Sequence, residues 1–154
     1  MSKSKTTIGR TDQIDFPELD LFDITCKIDT GATTSAIHCR HIKIVEKEDG
    51  KEYLRFRLLD PKHELYNDKE FEFNEFEERR VKNTAGISEN RYLIRTKVLV
   101  FGLMHNIELT LADREKMMFP VLLGRVFLNK KFIVDVSRNK LSHKEKCKFL
   151  EKKE

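Results

Sequence analysis

The sequence predicts an all-β, barrel-like domain, and three observations carry that expectation. Short runs of alternating apolar and polar residues recur at near-regular spacing, turn-forming residues punctuate them, and little of the chain reads as helix. At 154 residues the chain suits one domain with a real core, not two full lobes.

Taken in order, residues 1–8 are expected to be disordered, 9–141 to form the domain, and 142–154 to be a charged tail, helical or frayed. Residues 13–28 alternate imperfectly, and Pro17 excludes a central strand there. Ile24 to Ile28 reads as a strand leading into Asp29-Thr30-Gly31-Ala32, and Thr33 to Ile44 leaves that turn in an extended pattern. His41 to Glu46 and Tyr53 to Leu58 both alternate around Asp49-Gly50, a hairpin signal. A second hairpin is expected from Phe71 to Lys82, through Asn83-Thr84-Ala85-Gly86, and back from Asn90 to Val100. Phe101 to Leu111 adds a strand pair around Gly102. Phe119 to Leu123 suits a buried strand, with Pro120 tolerated among its first residues. Arg125 to Lys131 reads as one short helix and Phe132 to Val136 as the last strand.

Composition narrows the function. Lys+Arg exceed Asp+Glu by 30 to 26, and a net charge of +4 is too small an excess to argue for nucleic acid. The 11 Phe, with no Trp, read mainly as core rather than as a base-stacking platform. No window approaches the roughly 18 apolar residues of a membrane span. Met1 to Thr7 has no apolar signal-peptide core, so a cytoplasmic location is expected. Cys26, Cys39 and Cys147, an odd number at unrelated spacings, read as reduced thiols.

A carboxylate on a Gly-containing turn between two strands is how aspartic proteases present their catalytic acid. Here Asp29-Thr30-Gly31-Ala32 is followed, far downstream, by Pro120-Val121-Leu122-Leu123-Gly124-Arg125. An apolar-apolar-Gly-Arg segment after the active-site loop is the order found in retroviral-type enzymes. Such chemistry needs two carboxylates close enough to share one proton: one activates water, the other donates to the scissile carbonyl. With one such loop, the second Asp29 must come from a second copy, making a symmetric homodimer. Gly31 is expected because only Gly bends there at little steric cost.

Further segments share this order: Ile8-Gly9-Arg10, Phe16-Pro17-Glu18-Leu19, Cys26 through His38, Arg80-Val81-Lys82-Asn83, Gly86, Glu89, Arg91, Glu108 through Arg114, Met118 through Arg125 and Phe132-Ile133-Val134-Asp135. Over residues 8–136 the chain resembles the retropepsin-like aspartic peptidases. More narrowly, it resembles the RimK-associated, RimB-like prokaryotic group that carries the older label of ATP-dependent zinc protease. The resemblance implies a closed acid-protease barrel with one short helix after Leu-Leu-Gly-Arg, and a cytoplasmic, homodimeric endopeptidase with no metal or other cofactor. It implies a functional link to ATP-grasp ligases, with peptides made by them, glutamate-rich tails included, as substrates. Asp29, Thr30 and Gly31 would be catalytic, with the Thr30 hydroxyls interlocking across the dimer axis; small Ala32 would let the backbone approach substrate; Leu123, Gly124 and Arg125 would brace the loop.

Viral enzymes of this class commonly place an acid shortly after Asp-Thr-Gly-Ala to pair with the Arg of Leu-Gly-Arg. Thr33 and Thr34 stand there instead, so Arg125 needs another partner. The hairpin at 83–91 has a single glycine, Gly86, which suggests a stiffer cover than the viral flap or a loop that needs substrate to close. Arg79, Arg80, Lys82, Arg91 and Arg95 cluster around that hairpin: over a cleft they would attract acidic peptides, and on an exposed edge strand they would only solvate it. Asp113 and Asp135 lack a matching loop and read as structural partners for arginines such as Arg114 or Arg125. His38, Cys39, His41, His143 and Cys147 are candidate metal ligands, but a straight strand sends His38 and Cys39 to opposite faces and no His-Glu-x-x-His or Cys-x-x-Cys occurs. A buried Cys39 with half-exposed histidines is the expected outcome. A non-catalytic peptide-binding dimer and a zinc hydrolase are the two competing functions.

Overall fold

The computed structural model describes residues 4–82, 85–113 and 118–152. The fold is mostly β: β1 (Thr6–Ile8), β2 (Thr11–Phe16), β3 (Leu21–Ile28), β4 (Ser35–Glu46), β5 (Glu52–Leu58), β6 (Glu70–Phe73), β7 (Glu77–Lys82), β8 (Ser88–Val100), β9 (Leu103–Ala112), β10 (Val121–Leu123) and β11 (Phe132–Val134). Two helices, α1 (Arg125–Leu128) and α2 (Leu141–Lys152), complete it.

Pro17 opens a short 3-10 turn, Pro17–Leu19, between β2 and β3, which fold back on each other antiparallel. Along hydrogen-bonded neighbours, β10, β3, β2, β8, β9 and β4 succeed one another, and β4 meets β10 again. Strands β5 and β6 extend outward from β4, and β7 pairs with β8. Long strand β4 divides its work: Ser35 to Cys39 are buried in the central sheet, whereas the residues beyond are partly or fully exposed. A register shift between Arg40 and Lys43, with His41 at φ 57°, marks the bend where β4 swings out to pair with β5.

The 41–58 hairpin forms as expected, with Val45 opposite Tyr53 and Gly50 at φ 78° in the turn. The strand pair around Gly102 also forms, as β8 and β9. The expected strand from Phe71 to Lys82, in contrast, is two strands. Phe71 and Phe73 pair through β6 with β5 and pack on Phe56, at ring separations of 5.9 and 5.7 Å. Only β7 pairs with β8; Asn83 and Thr84, expected in the turn, lie outside the described residues. The two strands bring their aromatics to different neighbours of one core: Phe71 is buried beside Phe56, while Phe76 meets Tyr92 edge-on.

The start of the chain corrects the expectation, and its end decides between the two alternatives, helical and frayed. Met1 to Lys3 lie outside the described residues, but Thr6–Ile8 is a strand, parallel to β11, with Ile8 fully buried. Its partner is far down the chain, so no local pattern announces it. The final segment is a docked helix, not a frayed tail. Asp12 of β2, fully buried, accepts hydrogen bonds from the Ser142 and His143 backbone N–H groups, each at 3.0 Å. These are orphan donors of the first helical turn, and a carboxylate is well placed against them. Ser142 Oγ accepts from Phe101 N–H at 2.8 Å, and Lys146 Nζ bridges Asp15 and Asp23. Replacing Asp12 with Ala should therefore cost about 2 kcal/mol, because buried N–H groups lose their acceptor. Urea unfolding measures this; an unchanged midpoint with intact amide protection in α2 would refute the tether.

Candidate active site

The Asp29 loop owes its shape to a strand that intervenes. β3 ends at Ile28 and β4 starts at Ser35, yet they are not neighbours: β10 lies between them, parallel to β3 and antiparallel to β4. Residues 29–34 must cross over the end of β10. Val121 and Leu123 are fully buried, so this short strand is apolar by necessity.

The loop is then fastened at several backbone points. Asp29 N–H donates to Leu123 O at 2.9 Å, Ala32 N–H to Asp29 O at 3.1 Å, Arg125 N–H to Ala32 O at 2.8 Å and Val126 N–H to Thr33 O at 3.0 Å. Gly31 N–H donates to the Asp29 carboxylate at 3.0 Å, which orients the acid. Asp29 is half-buried; Thr30 and Gly31 are exposed. The predicted reason for Gly31 needs correcting. Its φ lies outside the left-handed region, and an added Cβ would sit 3.3 Å from Asp29 Oδ1. Glycine there leaves room for the carboxylate rather than supplying a bend.

Arg125 finds its other partner in the loop itself. Its guanidinium donates to Thr30 O and to Thr33 Oγ1, both at 2.9 Å, so the threonine standing in the acid's place takes the bond. Gly124 N–H donates to Ser35 Oγ at 3.0 Å, a buried contact. Sequence reasoning gave Ser35 no role; its signal was a hydroxyl on the buried first position of a strand. Leu123, Gly124 and Arg125 thus all touch the 29–35 segment. Ala32 is half-buried beside Gly124, its carbonyl engaged by Arg125.

The basic cluster is dispersed by strand alternation. Arg79 and Arg91 are cross-strand partners on one face, and Arg80 pairs with Asn90 on the other, as does Lys82 with Ser88. Glutamates neutralise much of the first face: Arg79 bonds Glu77 and Glu108, Arg95 bonds the same two, and Arg91 bonds Glu89. A cavity of about 530 Å³ is lined by Arg95, Thr34, Ser35, Glu108, Val126 and Phe127 among others; a second, of about 490 Å³, by Thr30, Thr33, Arg125, Lys5 and Lys130 among others. Both border the Asp29 loop.

The remaining candidates separate. His38 is buried, not half-exposed: Nδ1 lies 3.1 Å from Ala112 O and its backbone N–H donates to Pro120 O. Cys39 is buried as expected, and burial pushes its thiol well up. His41 is exposed. Among the described residues no group of three or more His, Cys, Asp or Glu side chains is placed to hold a metal. Asp135 does not serve Arg125; it accepts from the Ser137 hydroxyl at 2.6 Å and backbone N–H at 3.0 Å, which pull its carboxyl below the usual range. Asp113 is exposed, and Arg114 lies outside the described residues.

A β domain carrying one Asp-Thr-Gly loop, pinned from beneath by a Leu-Gly-Arg strand end, is an aspartic-peptidase-like lobe in class. The chain belongs to the RimB-like family, described as retropepsin-like aspartic endopeptidase RimB, whose model matches residues 7–145. It is 35% identical over 136 residues to a "Probable alpha-L-glutamate ligase" of Desulfotalea psychrophila, covering 86% of this chain and 28% of that protein. A protein of the same name from Shewanella pealeana is 33% identical over 143 residues, covering 90% and 30%. The chain thus spans less than a third of these curated relatives. A crystal structure of the Legionella pneumophila protein Lpg0085, of unknown function, is similar with a TM-score of 0.65 at 23% identity, covering 90% of this chain and 99% of that one. That likeness shows the fold.

Gly124 provides a direct test of the bracing. A Cβ there would lie 2.7 Å from the Thr34 carbonyl and 2.9 Å from Ala32 O, backbone atoms that cannot swing aside. Gly124→Ala should destabilise by about 1–3 kcal/mol, the usual cost of overpacking, and raise hydrogen exchange across 29–34. Unaltered denaturant midpoint and exchange would mean that the loop does not depend on this close approach.

Proposed function

We propose that the chain is a metal-independent aspartic endopeptidase that works as a homodimer, with Asp29 of each copy forming the catalytic pair. The observation that carries this is the Asp29 carboxylate, oriented by Gly31 N–H, on a loop anchored by Leu123 O and Arg125. In the pair, the ionised carboxylate removes a proton from water held between the two acids. The protonated partner donates to the scissile carbonyl as the tetrahedral intermediate forms. Thr30, exposed beside Asp29, meets its counterpart across the two-fold axis; Ala32 leaves space for the substrate backbone. Closing of the β10–β4 seam belongs to the same reading, with the pairings forming the closed acid-protease barrel.

The substrates we assign are acidic, glutamate-rich peptides made by an ATP-grasp ligase, in the cytoplasm. The ligase names of the relatives favour that link. On the hairpin, Arg80 and Lys82 are exposed on one face, and Arg79 and Arg91 on the other exchange glutamates of the protein for those of a peptide. The same ligase names also favour a second reading, a non-catalytic dimer that holds a peptide for a ligase.

Incubation with a peptide library including oligo-glutamate, read by mass spectrometry, separates the two. Cleavage by the wild type that survives EDTA and is lost in Asp29→Asn is expected, the loss being at least about a hundredfold for removal of an acid–base group. The pH profile of kcat/KM should be bell-shaped, since both steps of a shared-proton pair must be in the correct state. Retention of peptides without cleavage by wild type and variant alike would put the binding role first; cleavage abolished by EDTA would restore the zinc hydrolase.

A further inference from the structure

A second group of reactive side chains lies away from Asp29, along the seam between α2 and the β2–β3 hairpin. His143 and Cys147 are one turn apart on α2 and share a face. Cys147 Sγ is 3.5 Å from His143 Nε2. The other ring nitrogen, Nδ1, is buried without a hydrogen-bond partner among the described residues, and Asp23 Oδ1, at 3.6 Å, is a charge beside it just beyond hydrogen-bond reach. Thiol and carboxylate therefore lie near opposite nitrogens of one imidazole, the order in which a nucleophile, its base and a charge beside that base are placed.

Each member is held. Asp23 Oδ1 also accepts from Lys146 Nζ at 2.8 Å, and Asp23 N–H donates to Asp15 Oδ1 at 2.7 Å. His143 is positioned through its backbone N–H on Asp12. The negative charge of Asp23 near Nδ1 favours a hydrogen on that nitrogen by its field rather than by a hydrogen bond, and Nε2 is then the nitrogen that accepts from the thiol. The other two cysteines make the contrast: Cys26 and Cys39 are fully buried and burial pushes both thiols up, whereas Cys147 is only half-buried.

We propose that Cys147 is a thiol-modification site that exchanges with low-molecular-weight disulfides, with His143 as its base and Asp23 as a positioning residue. Cys147 Sγ attacks one sulfur of the disulfide while His143 Nε2 takes the thiol proton. A new S–S bond forms to Cys147 as the reagent's S–S bond breaks. The leaving thiolate takes the proton from His143 and departs as a thiol, so the disulfide itself is the oxidant. The attached group then sits beside Lys146, which ties α2 to Asp15 and Asp23.

The test uses oxidised glutathione on the full chain at neutral pH, followed by intact mass and peptide mapping. One adduct, at Cys147 and reversed by dithiothreitol, is expected, with none in Cys147→Ser. His143→Gln should slow the reaction about threefold or more; the gain in thiolate from a base is partly offset by lower intrinsic nucleophilicity. A wild-type rate in His143→Gln with an unchanged unfolding midpoint overturns the proposal, as does equal labelling of Cys26 or Cys39 in the folded wild type, or no adduct in excess reagent. Should His143→Gln unfold, the decision passes to Asp23→Asn. Asparagine tolerates the φ of 54° at that position, and an unslowed rate there is equally fatal.

Discussion

Leu123 O accepting the Asp29 N–H is a small contact, but it exists because β10 has been driven between two strands that are consecutive in the chain. Two strands joined by a six-residue connection would ordinarily pair with each other. Here they stand two inter-strand spacings apart, roughly 10 Å, and the connection must arch over the end of the intruder. That arch carries the acid. Everything beneath it follows from the same crowding: a glycine at 124 where the chain passes Thr34 and Ala32, a hydroxyl at 35 to satisfy the Gly124 N–H, and apolar Val121 and Leu123 in the strand. A loop pinned by several backbone bonds holds a carboxylate with little reorganisation, which is what acid–base chemistry requires.

Electrostatics near the loop are quieter than the composition suggests. Arg125 is committed to two neutral oxygens of the loop, so it braces without pulling on a carboxylate of its own. The arginines of β7 and β8 alternate with glutamates that bond them, and exposed pairs of this kind contribute little stability.

Several parts of this arrangement were legible in the sequence. Asp49-Gly50 between two alternating runs is local chemistry, and its hairpin forms in the expected register region. The Asp-Thr-Gly-Ala and Leu-Leu-Gly-Arg segments could be matched as a pair, and they do meet in space. What escaped depended on distant partners. Thr6–Ile8 looked like loose terminus because its partner strand lies at 132–134. The charged end was readable as a helical or frayed tail, but its docking was not, because its anchor, Asp12, is on β2. The 71–82 run looked continuous because alternation cannot report that Phe71 and Phe73 pack on Phe56 of β5 while Phe76 meets Tyr92 of β8. His38 looked half-exposed because polarity alone does not reveal a buried carbonyl such as Ala112 O waiting for it.

The sequence by itself determined the β character, the turn positions and the residue types of the acid loop, since all of these are set by period-two patterning and by the local conformational preferences of Gly, Asp and Pro. Only the tertiary structure decided which strands neighbour each other, why Gly31 and Gly124 are glycine, where Arg125 spends its hydrogen bonds, and that Cys147, His143 and Asp23 come together. Those outcomes depend on atoms far apart in the chain being brought within a few ångströms, and no local pattern encodes such distances.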